Sequence, residues 1–331
     1  PLLPGTGWEE TTLLAAAMSV NADSFIQSLL EVNLPLAAQC ASLPEININD
    51  ALRSEICQSL ISRTENKEAD LRARIAAGYA LGRMGDPRFK RCPGPFGDYL
   101  LPPMINISGG VYSIGSEEGD GYYKDEAPVH DVTIKEFRIG KFPVTNAEYA
   151  LFIEAGGYEN ERWWDTPASK MWLRGEESKI QIKKRWRKNR YILQSDIIVN
   201  DWLLGRGHIT LKEADFLKKI VAMTDDEFET FLNVLYVSGK RQTQPRFWEN
   251  HSFNNPSQPV VSLCWHEARA YCAWLTAQMT DLNSPISPAQ GVFRLPTEVE
   301  WEAAASGLEK RRFAFGGVFD ETLMNTLEGH I

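Results

Sequence analysis

A chain of 331 residues is long enough for two domains, each burying a proper core. Hydrophobic and charged contents of 43% and 24% are those of an ordinary globular protein, and no apolar run approaches the roughly 18 residues that a membrane-spanning helix needs. A net charge of -9 argues against nucleic acid as a general partner, yet that charge is uneven. It is about -3 over residues 1–100, about -6 over 101–173, about +5 over 174–246 and about -5 beyond.

Residues 1 to about 90 read as helices alone. Apolar spacing predicts helices over Trp8–Val20, Asp23–Val32 and Asn33–Ala41. Two more follow, over Asp50–Ser62 with Asn49 or Asp50 as cap, and over Glu68–Met84. The last places Leu71, Ile75, Ala76, Tyr79 and Leu81 near one face and stops at Gly85-Asp86-Pro87. Helix pairs repeating at roughly 40 residues resemble HEAT or armadillo units; an ordinary helical subdomain is the alternative. Two units are too few for a solenoid, so the segment is expected to end a longer array. Residues 91–103, which include CPGPFGDYLLPP, read as a Pro/Gly-rich linker.

From Met104 the texture changes to short β-like alternation over Ile105–Ile107, Val111–Ile114 and Val129–Ile139. Thr145-x-x-Glu148 is a capping box opening a helix that ends at Gly156-Gly157, and Trp265–Gln278 reads as a second helix. Thr297-x-x-Glu300 opens a third, with Gly307 as its stop. Helices flanked by short strands predict an α+β domain over 104–331. Two further boxes, Thr210-x-x-Glu213 and Thr224-x-x-Glu227, predict a helical hairpin within an insertion at about 178–243.

That insertion holds a basic run of Lys183, Lys184, Arg185, Trp186, Arg187, Lys188 and Arg190, closing on Tyr191. Cations interleaved with aromatics can grip phosphates and stacked bases. A solvated face or a docking patch for an acidic protein agrees better with the acidic remainder. With Trp163, Trp164, Trp172, Phe247 and Trp248 these residues form the candidate partner-binding set, core packing being the alternative for each aromatic. The five cysteines, Cys40, Cys57, Cys92, Cys264 and Cys272, contain no CxxC pair and read as buried free thiols in a reducing cytoplasm. His266-Glu267 lacks the second histidine of HExxH, no P-loop occurs, and residues 1–90 contain no histidine.

Three ordered segments carry a resemblance: IGSEEGDGYYKDEAPVHDVTIKEFRIGKFPVTNAEYALF within Met104–Phe152, PVVSLCWHEARAYCAWL over Pro259–Leu275, and FRLPTEVEWEAAASG over Phe293–Gly307. Together they are similar to the formylglycine-generating enzyme family, the sulfatase-modifying-factor branch of the C-type-lectin-like folds. The resemblance implies an oxidase that uses a cysteine pair and copper, but it places those cysteines beyond Ile331, and Cys264 and Cys272 do not occupy their positions. No catalytic residue and no resident cofactor are therefore expected, and copper would belong only to a longer catalytic parent. The ending MNTLEGHI resembles the start of the family's structural calcium site, with Asn325 and Thr326 as half of the ligands and a plain loop as the alternative. Iron-dependent relatives add a helical domain with histidine ligands, which residues 1–90 do not supply.

A helical-repeat segment ahead of this domain resembles the end of bacterial NACHT-type signalling ATPases. The expectation is a cytoplasmic, non-catalytic recognition or sensor module for a protein or peptide, with nucleic acid disfavoured and no membrane. A fragment of a copper-dependent oxidase acting on a sulfatase cysteine is the second reading, and a structural cap for the helical array the third.

Overall fold

A computed structural model describes residues 7–117, 126–195, 205, 209–235, 241–279, 291–320 and 323. They divide into two units. The first comprises Pro1–Ala155, Arg246–Leu263 and Tyr271–Ile331, the second Gly156–Pro245 and Cys264–Ala270.

The first unit opens with five helices: α1 (Glu9–Met18), α2 (Ala22–Leu30), α3 (Leu34–Ala41), α4 (Asp50–Glu65) and α5 (Leu71–Met84). Short polar side chains start α2 to α5, since a free backbone N–H at each N-terminus needs an acceptor, whereas Trp8 precedes α1 without a side-chain cap. Asn21, Asn33, Asn49 and Asp70 accept from Ser24, Leu36, Leu52 and Arg72. Ile26, Ala37, Cys40, Ile56, Leu60, Ala77 and Leu81 form their common core. The buried face of α5 is Ala77, Ala80, Leu81 and Met84, whereas Leu71, Ile75, Ala76 and Tyr79 are only half-buried. Small side chains decide this, because α5 packs closely on both α3 and α4.

The stretch expected as a linker is instead an antiparallel hairpin, β1 (Lys90–Cys92) with β2 (Tyr99–Leu101). Cys92 and Tyr99 are buried, and the hairpin tip is pinned by Gln278. The Phe96 N–H donates to Gln278 Oε1 at 3.1 Å, and Gln278 Nε2 donates back to the Phe96 carbonyl at 3.2 Å. Proline and glycine here shape a turn rather than a spacer.

Next come β3 (Met104–Ile107), β4 (Gly110–Ile114), β5 (His130–Ile134) and β6 (Phe137–Gly140). They pair antiparallel as β3 with β6, Ile105 opposite Ile139, and β4 with β5, Tyr112 opposite Val132. Tyr112, Ile114 and Ile134 cluster with Ala303 of the last helix. A second core is aromatic: Tyr149 and Phe152 of α6 (Asn146–Glu154) against Tyr271 and Trp274, with ring centroids 5.3–6.0 Å apart.

The second unit holds a short 3-10 turn (Glu161–Trp163) and the helices α7 (Pro167–Leu173), α8 (Glu176–Ser195), α9 (Leu211–Ala222) and α10 (Asp225–Leu235). Among the described residues the expected two-helix hairpin is preceded by a further helix, α8, because the basic run is itself helical throughout. The boxes at Thr145, Thr210, Thr224 and Thr297 all form. The Gln242 N–H donates to the Leu173 carbonyl at 2.8 Å, so the chain leaves and re-enters at neighbouring points around α8–α10. α11 (Trp265–Gln278) gives residues up to Ala270 to this unit and the rest to the first, which α12 (Glu298–Ser306) completes.

Candidate functional site

Helical periodicity sorts the basic run of α8 into two faces. Lys183, Trp186, Arg187, Arg190 and Leu193 recur at the spacing of one helix face; the first four meet α9 and α10 or the turn between them, and Leu193 is buried. Trp186 packs on Ile220, Phe228 and Leu232, with Phe216 edge-on at 6.0 Å. Arg187 grips Glu229 through two bonds of 2.6 and 2.7 Å. That fork holds the Glu229 carboxyl below the usual carboxylate range and raises the guanidinium. Lys183 donates to Asn233 Oδ1.

Arg190 is buried and fully engaged. It donates to Asp225 Oδ1 at 2.6 Å, to the Ile220 carbonyl at 3.2 Å and to the Met223 carbonyl, and it lies 4.7 Å over the Phe228 ring. These contacts close the turn between α9 and α10. Three candidate cations therefore serve as internal fasteners.

Lys184, Arg185 and Lys188 face the other way. They are exposed and form no ion pair with another described residue. Tyr191 and Ile192, one turn on, are 72% and 42% exposed. Sequence reasoning did not single out Ile192, although counting three and four residues on from Lys188 reaches both side chains.

The aromatic candidates separate as well. Trp163 and Trp164 are buried, Trp172 and Trp248 are half-buried, and Phe247 is exposed. Trp164 donates from Nε1 to the Gly157 carbonyl at 3.0 Å and stacks on Trp172 at 5.6 Å. Trp248 lies 6.2 Å from Tyr149 in the core of the first unit. Burial makes Trp163 and Trp164 packing residues rather than contact residues.

Other reactive groups are held quiet. Glu267 accepts from Tyr158 Oη at 2.5 Å and from the Cys264 N–H at 2.7 Å, and burial raises its pKa. Burial likewise pushes the Cys264 thiol up to about 11, so it stays protonated at neutral pH. Among the described residues there is no group of three or more His, Cys, Asp or Glu side chains that fits a metal ion. Asn325 and Thr326 lie outside the described residues, and none of the described helices is long and apolar enough to cross a membrane.

Comparisons with known proteins agree with the three segments that carried the resemblance. The formylglycine-generating enzyme of Streptomyces coelicolor is 27% identical over 217 residues, covering 64% of this chain and 50% of the relative. A hercynine oxygenase of Mycolicibacterium smegmatis is 26% identical over 244 residues, 72% of this chain and 39% of the relative. The inactive C-alpha-formylglycine-generating enzyme 2 of Bos taurus is 25% identical over 227 residues, 68% of this chain and 56% of the relative. The chain thus spans about half or less of the length of the first two. Residues 94–330 match the family described as "Sulfatase-modifying factor enzyme 1-like domain". With that match covering most of its length, the chain belongs to the sulfatase-modifying factor family.

Proposed function

We propose that this chain is a non-catalytic recognition module that holds a protein or peptide partner, in a bacterial signalling or defence setting. One observation carries the reading: a helical excursion, α8–α10, that closes on itself at Leu173 and Gln242 and turns unpaired cations outward. An inserted element with its own core, joined by adjacent ends, is a common way to add binding to a scaffold. The HEAT-like reading of α1–α5 and the C-type-lectin-like reading of the remainder accompany this proposal. They describe a rigid stem and a display platform. Relatives with such different names, one of them called inactive, support a scaffold whose function is set by local additions.

The test is excision. Because Leu173 and Gln242 adjoin, residues 176–240 can be replaced by a short Gly/Ser loop in the full chain. The shortened protein should keep its helical signal and lose the partner that co-purifies in stoichiometric amount from the native cell. Retention of that partner would reject the reading. The relatives named formylglycine-generating enzyme favour a second one, an oxidase part. Copper-loaded full chain mixed with a CxPxR peptide should then yield aldehyde; we expect none.

A further inference from the structure

We infer that the outward face of α8 is a docking site for an acidic protein segment, whose carboxylates meet Lys184, Arg185 and Lys188 while an apolar side chain covers Tyr191 and Ile192. This inference rests on the recognition reading and names the chemical class of its partner.

The first argument is a broken local rule. From Ser178 to Ser195 the chain has no acidic residue, yet it has six cations between Lys183 and Arg190 alone. A helix chosen for its own stability would place glutamate four residues ahead of lysine, where the two charges attract. Here Lys184 and Lys188 are instead like charges at the destabilising spacing. The inward cations are matched one by one, Arg187 to Glu229 and Arg190 to Asp225. The fold therefore supplies acids where it needs them, and from Lys184 to Ser195 the outer face carries none. Departures from local consistency that no packing requirement explains mark functional surfaces.

The second argument is composition. An exposed tyrosine and isoleucine one turn beyond an arginine and two lysines place an apolar pair at one end of a cationic stripe. Tyrosine and arginine are enriched among the interface residues that carry binding energy. The third argument is the choice of acid. Regions on either side of this segment are net negative, at about -6 and about -5, and would repel a polyanionic duplex, while a short peptide needs only the local patch. A single helix face also lacks the groove that a nucleic-acid backbone would follow.

The test uses the full chain and a fluorescein-labelled 14-residue peptide carrying six glutamates around a central Leu-Tyr pair. A peptide with glutamine at each glutamate and a 20-base-pair duplex DNA are the comparators. Wild-type protein should bind the glutamate peptide at least about tenfold more tightly than the glutamine peptide, with affinity falling as salt rises. The triple variant K184E/R185E/K188E should lose at least about tenfold, three exposed pairs of up to about 1 kcal/mol each sufficing for that. The milder triple change to glutamine should lie between. Y191A should weaken binding without altering its salt slope. Circular dichroism of each variant checks that the inward pairs still hold the helices together.

Equal binding of the two peptides, or an unaffected triple variant, would overturn the inference. So would displacement of the peptide by the duplex at lower concentration. If the peptide fails to bind but excision of 176–240 still removes the cellular partner, the recognition reading stands and the acidic class is wrong. If both fail, both are wrong.

Discussion

Glu148 and Glu300 occupy the same place in the same T-x-x-E motif and have opposite acidities. Glu148 is 2% exposed and accepts from the Thr145 N–H and Oγ1, each at 2.8 Å; burial outweighs these bonds and raises its pKa to about 6. Glu300 accepts from Arg294 through bonds of 2.7 and 2.6 Å, and that fork lowers its pKa to about 2. The signs for stability follow. Folding raises the affinity of Glu148 for a proton, so its contribution grows as pH falls from 6 through the ordinary value of 4.5. Over that window the gain is about 2 kcal/mol. Glu300 contributes above pH 4.5 and loses that contribution as pH falls toward 2. Glutamine also serves at this position of a capping box. Glu148→Gln should therefore flatten the stability profile between pH 4.5 and 6 and leave the chain as stable or more so at pH 7. Denaturant midpoints at pH 4.5 and 7 check it; an unchanged slope would remove Glu148 as its source.

At the scale of elements, the α8–α10 bundle depends on Arg190 more than on its small apolar centre. Its guanidinium satisfies two carbonyls at the α9–α10 turn, Ile220 and Met223, besides pairing with Asp225. Arg190→Ala leaves the Ile220 carbonyl, which is buried, and the half-buried Met223 carbonyl without that donor, a loss of about 3 kcal/mol. Melting followed by Trp186 emission should report it, whereas Lys184→Ala should stay within about 0.5 kcal/mol of wild type. The capping boxes were legible in the sequence because their bonds span three residues. The faces of α8 were not, because a continuous basic run gives no apolar stripe and the matching acids lie some 35 to 42 residues away. The hairpin at Lys90–Leu101 was missed for a related reason. Its order comes from Gln278, 182 residues distant, while its Pro/Gly composition alone reads as a spacer. Among the candidate aromatics, sequence gave no means of separating buried Trp163 and Trp164 from exposed Phe247, since all sit in short segments without a periodic pattern.

At the scale of the first unit, an irregular strip of chain near Pro256 ties the helical segment to the family domain, alongside the Lys141–Glu65 ion pair at 3.4 Å. Ser257 Oγ donates to the Gly78 carbonyl at 2.8 Å, Asn255 Nδ2 to the Tyr79 carbonyl at 3.2 Å, and Gln258 Nε2 to Tyr79 Oη at 3.2 Å. On its other side the Asn146 and Ala147 N–H groups, at the start of α6, donate to the Gln258 and Pro256 carbonyls at 2.9 and 3.0 Å. Gly82 permits the approach. A Cβ there would meet Asn255 Oδ1 at 2.6 Å and the Ser257 nitrogen at 2.7 Å. Helix propensity alone says Gly82→Ala should stabilise by about 1 kcal/mol. The clash with backbone reverses that sign, and we expect a loss of about 1–3 kcal/mol in denaturant unfolding. A gain would show that the strip yields easily. The same closeness bears on how such a chain can diverge. A side chain gained at position 82 and a shift of the strip are each harmful alone and tolerable together. The α1–α5 segment and the domain beside it should therefore be inherited as a matched pair, and an exchange of either with a relative's counterpart should fail at this seam before it fails anywhere in the two cores.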